Sequence, residues 1–219
     1  MRLVLLGAPG SGKGTQAALL KAKYACAHIS TGDILRQNLK DGTELGLQAK
    51  GYMDKGELVP DGLVIKMARE RLREDDAVRS GFLMDGFPRT LPQAEAFEEI
   101  LEELGRPLDA VLLLSIDEEA LIRRLSNRRT CRACGRIENL LSMTEKPMPE
   151  GGAAVCPACG GELHQRDDDT ESVIRNRLKV YHDQTAPLVS WYEAKKKLRV
   201  VDASGSPEEI LRKIQAVLG

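Results

Sequence analysis

Aromatic residues are scarce in this chain: one Trp, four Tyr and three Phe among 219 residues. That scarcity predicts an aromatic-poor core. A surplus of charge is also missing. Lys and Arg number 32 against 33 Asp and Glu, a formal net charge of −1, which argues against bulk electrostatic binding to nucleic acid or membrane. No apolar run approaches the length of a membrane span. Met1-Arg2-Leu3 runs straight into a strand-like segment, leaving no room for a signal peptide, so a cytoplasmic protein is expected. Repeats at solenoid periods and low-complexity tails are lacking too. In a reducing compartment the five cysteines are not expected to form disulfides.

Chemistry is concentrated near the start. The apolar run Leu3–Leu6 leads into Gly7-Ala8-Pro9-Gly10-Ser11-Gly12-Lys13-Gly14-Thr15, and an amphipathic stretch to Tyr24 follows. Strand, glycine-rich loop and helix in that order are the context of a phosphate-binding loop. Backbone N–H groups there can curl around an anion at a helix N-terminus, and Lys13 can reach the outer phosphates. The general pattern places Ser or Thr after the lysine. Here Gly14 holds that place and the hydroxyl comes at Thr15, so a magnesium ion must be held another way.

Strand-like runs recur at Leu3–Leu6, Ala27–Ile29, Phe82–Met84, Val111–Ile116 and Leu198–Val201, separated by helical patterns. This alternation predicts an α/β fold with a parallel sheet flanked by helices on both faces. Two stretches interrupt it. Residues 31–59, punctuated by Gly42, Gly46, Gly51 and Gly56, read as a small helical insert. Residues 130–165 are rich in Gly, Pro and Cys and read as a second insert, too small to bury a core of its own.

That second insert carries Cys131-x-x-Cys134-Gly135 and Cys156-x-x-Cys159-Gly160, with 21 residues between the pairs. The spacing lies one residue beyond the usual zinc-ribbon limit. Four thiolates make a closed tetrahedral site, so the ion is expected to be structural. Zinc is the default; sulfur ligation also suits iron or cobalt. His164 is nearby but superfluous with four cysteines present. Cys26 reads as a small buried apolar residue.

Asp85 ends the third strand-like run, where ligands bind in open α/β sheets, and could orient waters around Mg²⁺. Arginines gather around the second insert: Arg123, Arg124, Arg128 and Arg129 at the end of the preceding helix, Arg166 after it, then Arg175 and Arg177. Arg124 and Arg128, four apart, are expected on one helix face. Guanidinium groups fit phosphate oxygens bidentately. The competing reading is a solvated basic face partly paired with Asp167, Asp168 and Asp169. The chemistry these parts suit is phosphoryl transfer, which needs positioning and charge neutralisation more than a dedicated base.

Three motifs together resemble the adenylate kinase family: the phosphate loop with Gly14, the segment Ser30-Thr31-Gly32-Asp33-x-Leu35-Arg36, and Asp85-Gly86-Phe87-Pro88-Arg89-Thr90 with Gln93. The cysteine insert resembles the metal-binding lid of the long bacterial form. The resemblance implies a P-loop nucleoside monophosphate kinase fold with a five-stranded parallel sheet. Its parts would be a core of residues 1–29, 60–127 and 165–219, an AMP-binding insert of 30–59, and a four-cysteine metal-binding lid of 128–164. It implies that Gly10, Ser11, Gly12, Lys13, Gly14 and Thr15 hold the ATP phosphates, with Arg124 and Arg128 on the same side. Ile137 and Glu138 would cover the base, with further adenine contacts near Asp202 to Pro207. Thr31, Arg36, Glu57, Leu58, Val59, Gly86, Phe87, Pro88, Arg89 and Gln93 would form the AMP side. Arg166 and Arg177 would clamp phosphates between the two nucleotides.

The expected activity is therefore reversible phosphoryl transfer from ATP to AMP, giving two ADP, by a monomer using Mg²⁺ with ATP and a structural Zn²⁺. Lys13, Asp85, Arg89, Arg128, Arg166 and Arg177 would be its catalytic groups. Another nucleoside monophosphate kinase is the near alternative, since pocket shape decides the base. A zinc-ribbon nucleic-acid-binding ATPase is a different class, disfavoured by an aromatic-free ribbon and the acidic balance. A regulatory nucleotide-binding protein without turnover is a third.

Overall fold

A computed structural model describes residues 1–74, 79–143 and 154–219. Its frame is five parallel strands, β1 (Arg2–Leu6), β2 (Ala27–Ser30), β3 (Phe82–Asp85), β4 (Ala110–Ser115) and β8 (Leu198–Asp202), in the order β2-β3-β1-β4-β8. All four neighbouring pairs run parallel. The strands match the apolar runs of the sequence to within a residue at each end. Val4, Leu6, Ile29, Met84 and Val111 point into one apolar layer, and Leu3, Leu5, Leu83, Leu112 and Leu114 into the other. Burial on both faces is what a parallel sheet demands and explains the continuous apolar runs.

Helices α1 (Lys13–Tyr24) and α9 (Pro207–Leu218) supply Leu20, Ile210 and Ile214 to the second layer. Helices α4 (Asp61–Leu72), α5 (Leu91–Glu103) and α8 (Pro187–Ala194) cover the first. The few aromatics are spent here. Phe82 and Phe87 both meet Phe97 edge-on, with ring centroids 6.1 and 5.4 Å apart.

The first insert is α2 (Thr31–Lys40) and α3 (Glu44–Lys55). Ser30 caps α2 by accepting the Asp33 N–H at 3.2 Å, and Thr43 caps α3 at Gly46 N. The two helices touch at Gly46, where a Cβ would sit 2.3 Å from backbone atoms of Asn38 and Leu39.

After α6 (Glu118–Ser126) the chain does not continue as helix. Asn127 ends it, and β5 (Arg128–Cys131) pairs antiparallel with β6 (Ile137–Asn139) and β7 (Leu163–His164). Arg124 and Arg128 therefore do not share a helix face, contrary to the sequence expectation: the ladder between Arg128 and Asn139 overrides the four-residue spacing. The second insert is this small sheet, and among the described residues its cluster has Cys131, Cys156 and Leu163 as buried members. Helix α7 (Glu171–Val180) then returns to the core and runs through one wider turn, Tyr181–Thr185, into α8. Among the described residues no helix is long and apolar enough to cross a membrane.

Candidate active site

The parallel register sets Asp85 beside Leu5 of β1 and Ser30 of β2, so these strand ends finish level. Above them opens a cavity of about 1100 Å³. Its floor is the loop between β1 and α1. At Gly7 a Cβ would fall 2.7 Å from the Leu114 carbonyl oxygen, and at Gly10, with φ +87°, 2.9 Å from the Leu125 side chain. Only glycine lets the loop lie this close to β4 and α6. Helix α1 begins with no side-chain cap and no acidic residue in its first turn. Its leading N–H groups and the positive end of its dipole are left for an anion.

Lys13 folds back across that loop, its Nζ donating to Gly7 O at 2.7 Å and Ala8 O at 3.0 Å. Burial lowers its pKa to about 8, Asp85 partly opposing and Arg89, Arg177 and Arg128 adding to the fall. A Cβ on Gly14 would stand 3.4 Å from Ile137 and 3.8 Å from the Asp85 carboxylate. Position 14 thus looks at both the small sheet and the end of β3. His28 Nε2 lies 3.7 Å from Asp85 Oδ2 on the other side.

Among the described residues seven arginines line the cavity: Arg36, Arg89, Arg124, Arg128, Arg136, which pairs with Glu138, Arg166 and Arg177. Each is held by the protein. Arg128 forks onto both carboxylate oxygens of Asp169, with Nε at 2.7 Å from Oδ2. Arg177 Nη1 reaches Asp168 Oδ2 at 3.0 Å and Asp169 Oδ1 at 3.2 Å. Arg166 Nε donates to Thr130 Oγ1 at 2.8 Å. Arg36 pairs with Asp33, and Arg124 Nη2 donates to Ala203 O at 3.0 Å. Arg89 Nε donates to Gly86 O at 2.8 Å. Burial, then neighbouring Arg177, brings Arg89 down to about 10; burial, then Arg36, does the same to Arg166. Both stay charged at neutral pH. Asp168 is held below the usual carboxylate range: burial opposes, but Arg177, Arg128, Arg36 and Arg166 together outweigh it.

Of the arginines gathered near the second insert, Arg124, Arg128, Arg166 and Arg177 line the cavity, whereas Arg123, Arg129 and Arg175 do not. Arg175 pairs with Glu171 in solvent. Gly10, Gly12, Lys13, Gly14, Thr15, Ile137 and Glu138 line the cavity together with Asp85. So do Thr31, Arg36, Glu57, Leu58, Val59, Gly86, Pro88, Arg89 and Gln93. Two expected residues stand apart. Phe87 turns into the core, 1% exposed, and Ser11 is fully buried with its hydroxyl packed at Gly7. Gln93 lines the cavity with half of its amide engaged: Oε1 accepts from Arg89 N at 2.8 Å and Nε2 donates to Asp61 at 2.7 Å. One N–H and one lone pair remain for a ligand.

Sequence reasoning missed several supporting groups. Asp168 and Asp169 read only as partners of a solvated face, yet Asp168 lines the cavity and Asp169, 1% exposed, lies behind Arg128 and Arg177. Gln16, also 1% exposed, donates to Pro207 O at 2.9 Å and ties α1 to the first residue of α9. Thr185 donates to Arg89 O at 2.8 Å. The partners lie 191 and 96 residues apart, and no local pattern signals them.

In the small sheet, Cys131, Cys134, Cys156 and Cys159 bring their Sγ atoms within 4.8 Å of one another. Cys131 and Cys159 are 3.5 Å apart, Cys134 and Cys156 3.7 Å. Tetrahedral zinc with bonds of about 2.3 Å needs sulfurs about 3.8 Å apart, so the donor set fits. Gly135 and Gly160 follow the pairs with φ +72°. A Cβ on Gly161 would crowd the Cys131 sulfur at 2.9 Å, so the space around the thiols is kept clear. His164 does not join the group.

Comparison with known proteins agrees with this geometry. A family model described as adenylate kinase matches residues 5–197. The adenylate kinase of Salinispora tropica is 53% identical over 218 residues, covering 99% of this chain and 98% of that protein. That of Caldicellulosiruptor bescii is 49% identical over 219 residues, covering 100% and 99%. That of Methanocella arvoryzae is 50% identical over 218 residues, covering 100% and 98%.

Proposed function

The chain belongs to the adenylate kinase family, and from that premise we infer that it transfers the γ-phosphoryl group of ATP to AMP, reversibly, giving two ADP. The observation that carries this reading is one cavity in which the phosphate loop and Lys13 lie between guanidinium groups from both inserts. At about 1100 Å³ it exceeds the roughly 300–1,000 Å³ of single-ligand pockets, as two nucleotides require.

The residues divide the work as follows. Residues 10–15 and Lys13 receive the donor phosphates, with Arg124 and Arg128 beside them and Ile137 and Glu138 over the base. Residues 205–207, anchored through Gln16, face the same nucleotide. Arg36 and Arg89 receive the acceptor phosphate, with Thr31, Glu57, Leu58, Val59 and Gln93 around its base. Arg166 and Arg177 stand between the two. An oxygen of the acceptor phosphate, already ionised at neutral pH, attacks the γ-phosphorus. The bond from that phosphorus to the β–γ bridging oxygen breaks, and ADP leaves. No general base is needed; neutralising the equatorial oxygens and aligning the reactants supply the catalysis. Asp85 would hold the waters of a Mg²⁺ ion, which when bound to ATP offsets charge on the β- and γ-phosphates. The small sheet, carrying Arg128 from above, keeps water from the transferring group.

The four cysteines would hold one structural ion, taken as zinc, with iron or cobalt the alternatives of similar chemistry. It would fold an insert whose buried cluster, among the described residues, is Leu163 and two of the cysteines themselves. We take the protein to be a cytoplasmic monomer working on adenine nucleotides in their homeostasis. We take the chain to divide into a core of residues 1–29, 60–127 and 165–219, an AMP-binding insert of 30–59 and a metal-binding lid of 128–164; the helix pair α2–α3 and the small sheet β5–β7, each set off from the five-stranded sheet, support this division.

The test is disproportionation. Supplied with ADP and Mg²⁺, the protein should yield ATP and AMP in equal amounts, and with ATP it should phosphorylate AMP in preference to CMP, UMP or GMP. No ATP from ADP would reject the reading. Preference for a pyrimidine monophosphate would move it to another nucleoside monophosphate kinase.

A further inference from the structure

We propose that Thr185 is a positioning residue for phosphoryl transfer: its hydroxyl fixes the main chain of Arg89, and with it the guanidinium offered to the acceptor phosphate. The inference rests on the ATP:AMP reading above and assigns that reaction a residue outside the family motifs.

Thr185 lies where α7 passes into α8. The chain there widens by one residue, Ala186 N–H donating to Tyr181 O five positions back at 2.8 Å. Such single wide turns are uncommon and concentrate at functional sites. A threonine hydroxyl inside a helix ordinarily bonds back to a carbonyl of its own preceding turn. The Thr185 hydroxyl leaves its helix instead and donates to Arg89 O at 2.8 Å, across 96 residues of sequence. The side chain is 5% exposed and lines the cavity.

Arg89 needs such a hold. It follows β3 in an irregular segment, where the chain imposes no helical or strand geometry of its own. Its N–H donates to Gln93 Oε1, four residues on, and its Nε to Gly86 O, three residues back. Gln93 is anchored in turn on Asp61 of α4 and Gly86 on Thr31 of α2, so neither bond links Arg89 to α7, the helix that carries Arg177. Thr185 ties it to the rod of α7, which eight residues earlier carries Arg177. The hydroxyl thus sets the acceptor-side guanidinium in register with one between the nucleotides.

The test is steady-state kinetics of Thr185→Val and Thr185→Ser in the full chain, varying AMP and ATP separately. Valine keeps the branched shape and deletes the donor. One neutral hydrogen bond corresponds to about fivefold. Thr185→Val should lower kcat/KM for AMP about fivefold and leave KM for ATP within about twofold, and Thr185→Ser should restore the AMP value. In an Arg89→Lys background the valine should cost less than twofold, since the group it positions is already altered. Equal losses for both nucleotides, an unchanged AMP value, or a full effect persisting beside Arg89→Lys would overturn the proposal. Thermal unfolding of each variant is measured alongside, and Thr185→Ala replaces the valine if that variant does not fold. Turnover by the unaltered protein in the same assay bears on the reaction itself, so failure of the Thr185 role is read separately from failure of the ATP:AMP assignment.

Discussion

Replacing Asp169 with Ala would leave two guanidinium groups without their shared partner. The carboxylate is wholly buried as a side chain and serves Arg128 through both oxygens and Arg177 through one. Removing one member of a buried pair costs about 3–5 kcal/mol, because the other charge stays in place without compensation. Here the arginines keep 15% and 17% side-chain exposure, and Arg177 retains Asp168 at 3.0 Å. The lower end, about 3 kcal/mol, is therefore expected. In a chain of this size that lowers Tm by about 6–12 °C. A bisubstrate dinucleotide should narrow the gap, since its phosphates offer Arg128 and Arg177 the negative charge that the variant has lost. Calorimetric melts of both proteins, alone and with saturating ligand, measure both quantities. A loss below about 1 kcal/mol, or a gap that the ligand leaves unchanged, would refute the view that Asp169 compensates the charges of Arg128 and Arg177.

Lys13→Met should keep the fold and lower kcat at least about a hundredfold, in line with removing a preorganised charge from a transition state; circular dichroism and initial rates decide it. The Lys13 pKa of about 8 lies below its ordinary 10.5, so between these values the unfolded chain binds more protons at this site than the folded one. Its contribution makes stability rise with pH across that window, whereas affinity for ATP should fall above about pH 8 as the ammonium is lost. Titration calorimetry from pH 7 to 9.5 checks this, and a flat profile would contradict it. Metal analysis should find about one tightly bound ion per chain. Cys156→Ser should lose it and most turnover while the far-ultraviolet signal of the five-stranded core persists. Gly46→Ala drives a Cβ into the backbone of α2; a loss of about 1–3 kcal/mol is expected from such overpacking, with KM for AMP raised more than KM for ATP.

The frame and the floor of the site were legible because their signals are local. Apolar runs bounded by turns gave the five strands, and a glycine-rich bend ending in Lys13 gave the anion seat. The paired Cys-x-x-Cys-Gly spacing pointed to a group whose sulfurs do converge. What eluded the sequence depends on distant partners. Four-residue spacing suggested a helix for Arg124 and Arg128, but the second arginine obeys a strand partner at Asn139. Phe87 sits inside a ligand motif yet faces Phe97, because burying the ring against the core removes its apolar surface from water. Asp169 reads as one of three surface acids until the fold brings it under Arg128. The holds on Pro207 and Arg89 depend on elements that meet only when the sheet is complete.

The strand bearing the anion-gripping bend is the middle one of five, with β3 on one flank and β4 on the other. Its neighbours on the two sides come from separate halves of the chain, and the outermost, β8, from near the C-terminus. A growing polypeptide that has emerged only through β3 would hold that bend on a ribbon with one bare edge, lacking the Leu114 carbonyl that presses on Gly7. The anion seat is therefore unfinished until the chain has emerged past Leu125, because β4 and α6 supply the walls against which Gly7 and Gly10 are pressed.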